Sequence, residues 1–354
     1  MPLYMDIHNV DTDEFSAEDV VKAHMEDLAI QDQFGVKQLK YWVNEQAKTI
    51  FCLMEGPNKD ACNQVHLKSH GNTACNIIEV ADNEYNLFMG QGTDVDDLAK
   101  TDSGDLDSGY RTILLVNILS FSNNNRRYFS KIKELVLEYN GVVVREPNNQ
   151  IMITFIYATD GISCASDIMK FINTSNDLEF NLAVVSGKPV DEEGSAFFEV
   201  AKAKINKVCS LGLNKKMYLD KETILISEKE IQEPKEKLSN FTVLNNDDFV
   251  FSSNLHDVIK KHFTRSDFNS EELISEIGLS KSQVSRKVKS LTGLAPNQLI
   301  QESRLQCALN NIASSHKTIA EIAYDTGFNS PTYFTRVFKK RFGILPTDFI
   351  KQLR

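Results

Sequence analysis

A chain of 354 residues, 42% hydrophobic and 25% charged, is too long for one ordinary domain of about 150 residues and too apolar to be globally disordered. No apolar run nears the ~20 residues that cross a bilayer, the N-terminus lacks a basic stretch followed by an apolar one, and six scattered cysteines (Cys52, Cys62, Cys75, Cys164, Cys209, Cys307) form no CxxC pair. Membrane and secreted readings fall away, and a cytoplasmic chain with reduced thiols is expected. The net charge of −10 is uneven: residues 255–354 hold 15 Lys or Arg against 9 Asp or Glu, and residues 1–254 hold 24 against 40, so a basic, polyanion-binding unit is expected at the end of an acidic chain.

Residues 1–80 read strand (LYMDI), helix (Ser16 to Phe34), strand (LKYWV), strand (TIFCLME), helix (Asn58 to Thr73), strand (NIIEV). This βαββαβ order predicts a ferredoxin-like α+β sandwich. Four of the seven histidines, His8, His24, His66 and His70, fall in this block, with Asp6, Glu55 and Glu79 as candidate oxygen donors. His66 and His70, four apart on a predicted helix, face the same way, the spacing of a two-imidazole chelate, and imidazole with carboxylate suits nickel, zinc or copper. The alternative is a sandwich in which these histidines hydrogen-bond at a subunit seam. MPLYMDIH, VVKAHMEDL, YWVNEQAKTIFCLMEGP and VHLKSHG resemble a small bacterial α+β family with nickel-binding members, which implies a metal sensor but does not by itself assign the ligands.

Residues 81–109 carry eight acids, one lysine and four glycines and read as a solvated linker. Residues 110–226 then repeat the βαββαβ order: TILLVNILSF, a helix from Asn125 to Tyr139, GVVVRE, QIMITFIY, a helix from Gly161 to Asn173, and LEFNLAVVSG. A helix from Ala196 to Leu211 and the strand KMYLD follow. The order resembles the catalytic domain of class III nucleotidyl cyclases, whose two metal-binding aspartates would fall at Asn117 and Asn149. Asparagine lacks the carboxylate charge a hard dication needs, and Val200 and Lys204 stand where that family's transition-state Asn and Arg would be. The resemblance therefore implies a catalytically silent module for dimerisation or sensing; an unrelated ferredoxin-like domain is the other reading.

Residues 227–254, rich in Glu, Lys and Asn, read as a second linker, one whose FTVL and FVF pieces would let it dock. From residue 255 no strand pattern remains. A helix with Leu255, Val258, Ile259, His262 and Phe263 inward precedes one from Glu271 with Leu273, Ile274 and Ile277 inward, stopped at Gly278. Ser280 and Gln283 form a capping box opening KSQVSRKVKSL, with Val284, Val288 and Leu291 inward. Thr318 and Glu321 repeat the box, Ile319, Ile322 and Ala323 turn inward, Gly327 makes the turn, and Ser330 with Pro331 opens a helix burying Phe334, Val337 and Phe338.

The two second helices align at a constant offset of 50, Val284 with Phe334, Arg286 with Arg336, Val288 with Phe338 and Lys289 with Lys339. At about 100° per residue, Ser282, Arg286 and Lys289 in one copy and Thr332, Arg336 and Lys339 in the other lie opposite the buried face, with Ser285, Tyr333 and Lys340 beside them. Arginine can bond guanine O6 and N7 while lysine and hydroxyls hold phosphates, so these nine residues are the candidate DNA contacts. A helix from Asn297 to Ala313, about 25 Å long, would space two recognition helices one DNA turn, roughly 34 Å, apart. A helical bundle with a merely solvated basic face is the bland alternative. RLQCAL with Arg304, the Ile322, Ala323, Gly327, Phe328 turn, FTRVFKKRFG and Pro346 resemble the DNA-binding domain of AraC/XylS-type transcription regulators over about 100 residues.

The expected protein is thus a multidomain α+β plus all-α chain: two ferredoxin-like domains (1–80 and 110–226), linkers (81–109 and 227–254) and a double helix-turn-helix domain (255–354). It is expected to be a non-enzymatic, sequence-specific transcription regulator that binds promoter DNA, works with RNA polymerase, forms a homodimer and contacts no membrane. No cofactor is required, with nickel or another transition metal the candidate at the first domain. The competing functions are a metal-binding protein with a DNA anchor and a nucleotidyl cyclase.

Overall fold

The computed structural model describes residues 1–12, 15–90, 98–121, 125–146, 149–175, 178–212, 215–230, 238–314 and 317–353. The chain begins with β1 (Leu3–Asn9), α1 (Ala17–Ile30), β2 (Lys37–Asn44), β3 (Thr49–Glu55), α2 (Lys59–Ser69) and β4 (Asn76–Val80), whose strands form an antiparallel sheet of order β2-β3-β1-β4. Ser16 and Asn58 cap the two helices by accepting from the backbone N–H of Asp19 and Ala61. The expected first helix ends at Ile30 and tightens into a 3-10 turn, Gln31–Phe34, closed by Gly35 at φ 63°. Val20, Cys62 and Val65 from the helices cover one sheet face against Tyr41, Val43 and Met54.

The opposite face is apolar too. Met5, Ile7, Trp42, Phe51 and Leu53 belong to a core that continues into the next sheet. At its edge is α3 (Asp82–Met89), in a segment expected as solvated linker. Asp82 faces water and Glu84 pairs with Lys202, while Tyr85, Phe88 and Met89 are buried, so the acidic count concealed an apolar stripe. Asp107, further along, takes Arg111 bidentately (2.9 and 2.8 Å) and accepts from Trp42 Nε1 (3.2 Å), while Arg111 Nε donates to Phe88 O (2.9 Å). Burial alone would raise the Asp107 pKa; the guanidinium outweighs it and holds the carboxyl below the usual carboxylate value. Residues 91–97 lie outside the described ones.

The second sheet is built from β5 (Arg111–Ser120), α4 (Asn125–Glu138), β6 (Val142–Arg145), β7 (Gln150–Phe155), α5 (Ala158–Ile172), β8 (Leu178–Gly187), α6 (Glu199–Cys209), β9 (Lys216–Asp220), α7 (Lys221–Glu230) and β10 (Phe241–Leu244), in order β10-β9-β8-β5-β7-β6. All ten residues of β5 are buried, because both faces are covered. Leu114, Val116 and Ile118 pack in the core that includes α4 and α5 residues, and Ile113 and Leu115 in the core shared with the first sheet. The segment expected as the second linker contributes the end of α7, β10, which pairs parallel to β9, and the start of a further helix; its residues 231–237 lie outside the described ones.

Helices α8 (Asn246–His262), α9 (Ser270–Ile277), α10 (Lys281–Thr292), α11 (Pro296–Ser314), α12 (Ile319–Asp325), α13 (Pro331–Phe342) and α14 (Pro346–Leu353) complete the chain. The boundary expected at residue 255 falls inside α8, which starts at a capping box of Asn245 and Asp248. No helix among the described residues is long and apolar enough to cross a membrane.

Candidate DNA-recognition surface and metal pocket

Each helix-turn-helix is fixed by local chemistry. Ser280 caps α10, with the Gln283 side chain returning the bond, and Thr318 with Glu321 does the same for α12. Gly278 and Gly327 take φ of 73° and 80° at the two turns. At Gly327 there is no room either: a Cβ would run into the carbonyl oxygen of Phe263 and lie 2.9 Å from Arg304 Nε. Arg304 on α11 donates to the carbonyls of Phe263 (2.8 Å) and Arg265 (2.6 Å), bracing the exit of α8 against the linking helix. Val284, Val288, Phe334 and Phe338 are fully buried, so equivalent positions in the two copies anchor α10 and α13. Val337 is half-buried instead of buried.

The outward row is as spaced. Ser282, Arg286, Lys289, Thr332, Tyr333, Arg336, Lys339 and Lys340 are exposed, and Ser285 is half-buried. The Arg336 guanidinium lies 5.2 Å from the Tyr333 ring centre, a cation–π distance. Lys289 bends to the C-terminus of its own helix, bonding Gly293 O at 2.6 Å. Arg341, one residue past the row, turns inward to Glu302 and Glu179.

The first block brings His8, His24, His66 and His70 around one cavity of about 490 Å³, together with Asp27 and Cys52. The simple His66–His70 chelate does not form. His66 Nδ1 meets Asp27 Oδ2 and its Nε2 meets Asp6 Oδ2, both at 2.9 Å, so both ring nitrogens are taken by carboxylates. Burial would lower the His66 pKa, but Asp27 and Asp6 outweigh it and raise it to about 10, so the ring is an imidazolium. Burial pushes Asp6 and Asp27 up, and the histidines pull both well below the usual carboxylate value. His70 Nε2 lies 3.3 Å from Asp27 Oδ1, and Ser69 Oγ donates to that same oxygen. His24 packs its ring on Tyr41, 4.3 Å between centres. Glu79 is exposed and Glu55 half-buried; neither lines the cavity.

Ligand atoms of Asp6, His8, Cys52 and His66 lie within 4.8 Å of one another, as do those of Asp27, His66 and His70. His8 Nε2 is buried 3.2 Å from Asp6 Oδ2, an ion-pair distance, and has no hydrogen-bond partner among the described residues. A buried imidazole nitrogen with no hydrogen bond, beside carboxylate and thiol donors, fits a borderline transition-metal ion, provided His66 gives up its proton. The spacing of histidines could not show Asp27 and Cys52, which arrive from α1 and β3. In the second block the register pairs Asn117 with Gln150, and Ile118 N–H donates to Asn149 O at 2.9 Å, so Asn117 and Asn149 stand beside each other at one sheet end.

Residues 273–352 match the family model of a helix-turn-helix domain, and residues 4–80 match that of the nickel responsive protein SCO4226-like family. The chain carries a C-terminal helix-turn-helix domain of the kind found in transcription regulators. More particularly, that domain is of the AraC type, and the N-terminal block is an SCO4226-like domain. Relatives include the transcriptional activator RhaS of Mannheimia succiniciproducens, 36% identical over 22% of this chain and 29% of its own length. Another, named histidine kinase P4, of Formosa agariphila, is 30% identical over 32% of this chain and 9% of its own. The solved structure of SCO4226 from Streptomyces coelicolor A3(2) is 32% identical over 22% of this chain and 94% of its own, with a TM-score of 0.21. The chain spans between 9% and 40% of the length of the first four curated relatives.

Proposed function

We propose that this protein is a sequence-specific transcription regulator in which α10 and α13 enter two successive major grooves. The observation that carries the reading is the duplicated outward row, Arg286 with Lys289 and Arg336 with Lys339, exposed on helices whose opposite faces are anchored by fully buried residues. Arginine at the centre of each row supplies base readout and the flanking lysines and hydroxyls supply phosphate contacts. Both α+β blocks follow the ferredoxin-like βαββαβ order and serve as sensing modules, in a cytoplasmic protein that recruits or blocks RNA polymerase. A homodimer would use surfaces other than the two facing sheets, whose apolar sides meet within one chain. Selection from random duplex DNA tests the reading: a two-part motif with half-sites about one helical turn, roughly 10 base pairs, apart is expected, and absence of any enriched sequence contradicts it.

The sensing arm of the proposal is a transition-metal ion, nickel first, held by His8, Asp6 and His66 with Asp27, His70 and Cys52 adjacent. Bound there, the ion would replace the His66 proton and neutralise the paired carboxylates. Calorimetric titration of nickel and zinc tests it: His8→Ala and His66→Ala are expected to weaken binding at least about tenfold each, and unchanged affinity in both removes the site. The middle block acts without catalysis in this account, since Asn117 and Asn149 offer no carboxylate at a metal position. Cyclic nucleotide formed from ATP or GTP with manganese would contradict it.

A further inference from the structure

Helix α4 turns one side to the core of the middle block, burying Tyr128, Phe129, Ile132, Leu135 and Val136. On its other side Arg127, Glu134, Leu137 and Glu138 are exposed and Lys131 partly so. At about 100° per residue, Arg127, Lys131, Glu134 and Glu138 fall within about 60° of one another. They form a straight stripe about 16 Å long, basic in its first half and acidic in its second.

That order is the wrong one for the helix by itself. The N-terminal end of a helix carries partial positive charge and the C-terminal end partial negative charge, so Arg127 in the first turn and Glu138 at the last residue each meet their own sign. Neither has an ion-pair partner among the described residues, whereas Lys131 pairs with Glu134 at 2.8 Å and Lys133 with Glu146. Lysine ahead of glutamate is also the less favourable order for a pair within one helix. Leu137, 74% exposed, adds apolar surface along the edge of the stripe. An antiparallel helix of the same sequence would correct each of these features.

We propose that this face of α4 is a homodimer interface, on which α4 of a second copy of the chain lies antiparallel about a two-fold axis. The midpoint between Arg127 and Glu138 is also the midpoint between Lys131 and Glu134. A single register therefore sets Arg127 against Glu138 of the second copy and Lys131 against its Glu134, and the two-fold axis repeats both contacts. In that register Arg127 lies at the C-terminal end of the opposite helix and Glu138 at its N-terminal end, where the dipole favours each. Leu137 comes level with the aliphatic stem of Arg127 from the other copy. The proposal rests on the homodimer reading and names the surface that reading leaves open; the stripe shares no residue with the apolar core where the two sheets meet.

Sedimentation equilibrium of the full chain tests it. Wild type should dimerise, more weakly as salt is raised. Arg127→Glu and Glu138→Arg, both at exposed positions, should each weaken the dimer at least about tenfold, because two attractive pairs become two repulsive ones. Mixed in equal amounts, with one of them fluorescently labelled, the two variants should form a mixed dimer of near wild-type affinity, since opposite charges again face each other at both contacts. That recovery also shows that both variants are folded. A dimer unaffected by either variant, or a mixture no tighter than each variant alone, overturns this surface and leaves a homodimer through another face. A monomeric wild type overturns both and marks the stripe as the seat of a different protein. The samples contain no DNA, so neither result bears on promoter binding.

Discussion

Arg341 on α13 forms a 2.7 Å ion pair with Glu179 on β8, 162 residues earlier in the chain. The same guanidinium bonds Glu302 on α11 at 2.8 and 3.0 Å, so one side chain joins the second recognition helix, the linking helix and the middle sheet. Tyr218 and Lys216 on β9 hold the first copy similarly, donating to Leu291 O (3.0 Å) and Ser290 O (2.7 Å) at the end of α10. The middle block grips both recognition helices at their C-terminal ends and leaves their outward rows open.

The grip should be measurable as coupling. In urea unfolding, a double-mutant cycle of Glu179→Gln and Arg341→Gln should give an interaction of about 1 kcal/mol, modest because the pair is partly exposed. Arg341→Ala should cost more, about 2 to 4 kcal/mol, since it leaves the buried Glu302 carboxylate without its guanidinium. Strict additivity in the cycle would show that the two blocks are not joined here.

Base readout and phosphate contact should separate by salt. Arg286→Ala or Arg336→Ala should cost about 1 to 3 kcal/mol at the selected site and relax preference at a few adjacent bases. Lys339→Ala should weaken binding to every sequence and reduce the salt slope by about one unit. Titration of each variant at several salt concentrations checks both.

The two turn glycines should differ although both have positive φ. At Gly278 nothing would touch an added Cβ, so Gly278→Ala should cost about 1 kcal/mol for the left-handed backbone alone. Gly327→Ala adds collision with Phe263 O and Arg304, and more than about 3 kcal/mol, with loss of DNA binding, is expected. Equal melting temperatures for the two variants would contradict the packing described.

Stability should depend on pH through the Asp6, His66 and Asp27 cluster. The folded pKa of His66 is raised to about 10, so its contribution is full below its ordinary value of 6.5 and is lost as pH rises towards 10. The folded values of Asp6 and Asp27 are lowered, so theirs is present above the ordinary 3.8 and is lost as pH falls. With a chelator present, the melting temperature should decline from about pH 6.5 to 10, and His66→Gln should flatten that decline. An unchanged alkaline limb in His66→Gln would contradict the imidazolium assignment.

The helix-turn-helix pair was legible because its determinants are local: Ser280, Thr318 and Ser330 as caps, glycines at the turns, and Val284 and Phe334 at repeating buried positions. The ends of α10 and α13 need no distant residue to define them. Helix α3 was hidden because Tyr85, Phe88 and Met89 find their core only when Trp42 and Phe197 arrive from elsewhere. The metal pocket was half legible. Spacing put His66 and His70 on one side of α2, but whether a histidine is a free ligand depends on its partners, and Asp27 comes from a helix 39 residues earlier. The sequence shows Asn117 only as a position lacking a charge; that its amide donates to Asn181 Oδ1 follows from the pairing of β5 with β8.

Anisotropy titration of the full chain and the Arg286→Ala/Arg336→Ala double variant, on the selected duplex and a scrambled one at equal salt, separates sequence recognition by α10 and α13 from non-specific binding. Wild type should prefer the selected duplex by at least about a thousandfold, and the double variant should lose most of that preference while retaining weak binding to both. Equal affinity of the wild type for the two duplexes, or full preference kept by the double variant, would contradict recognition through α10 and α13.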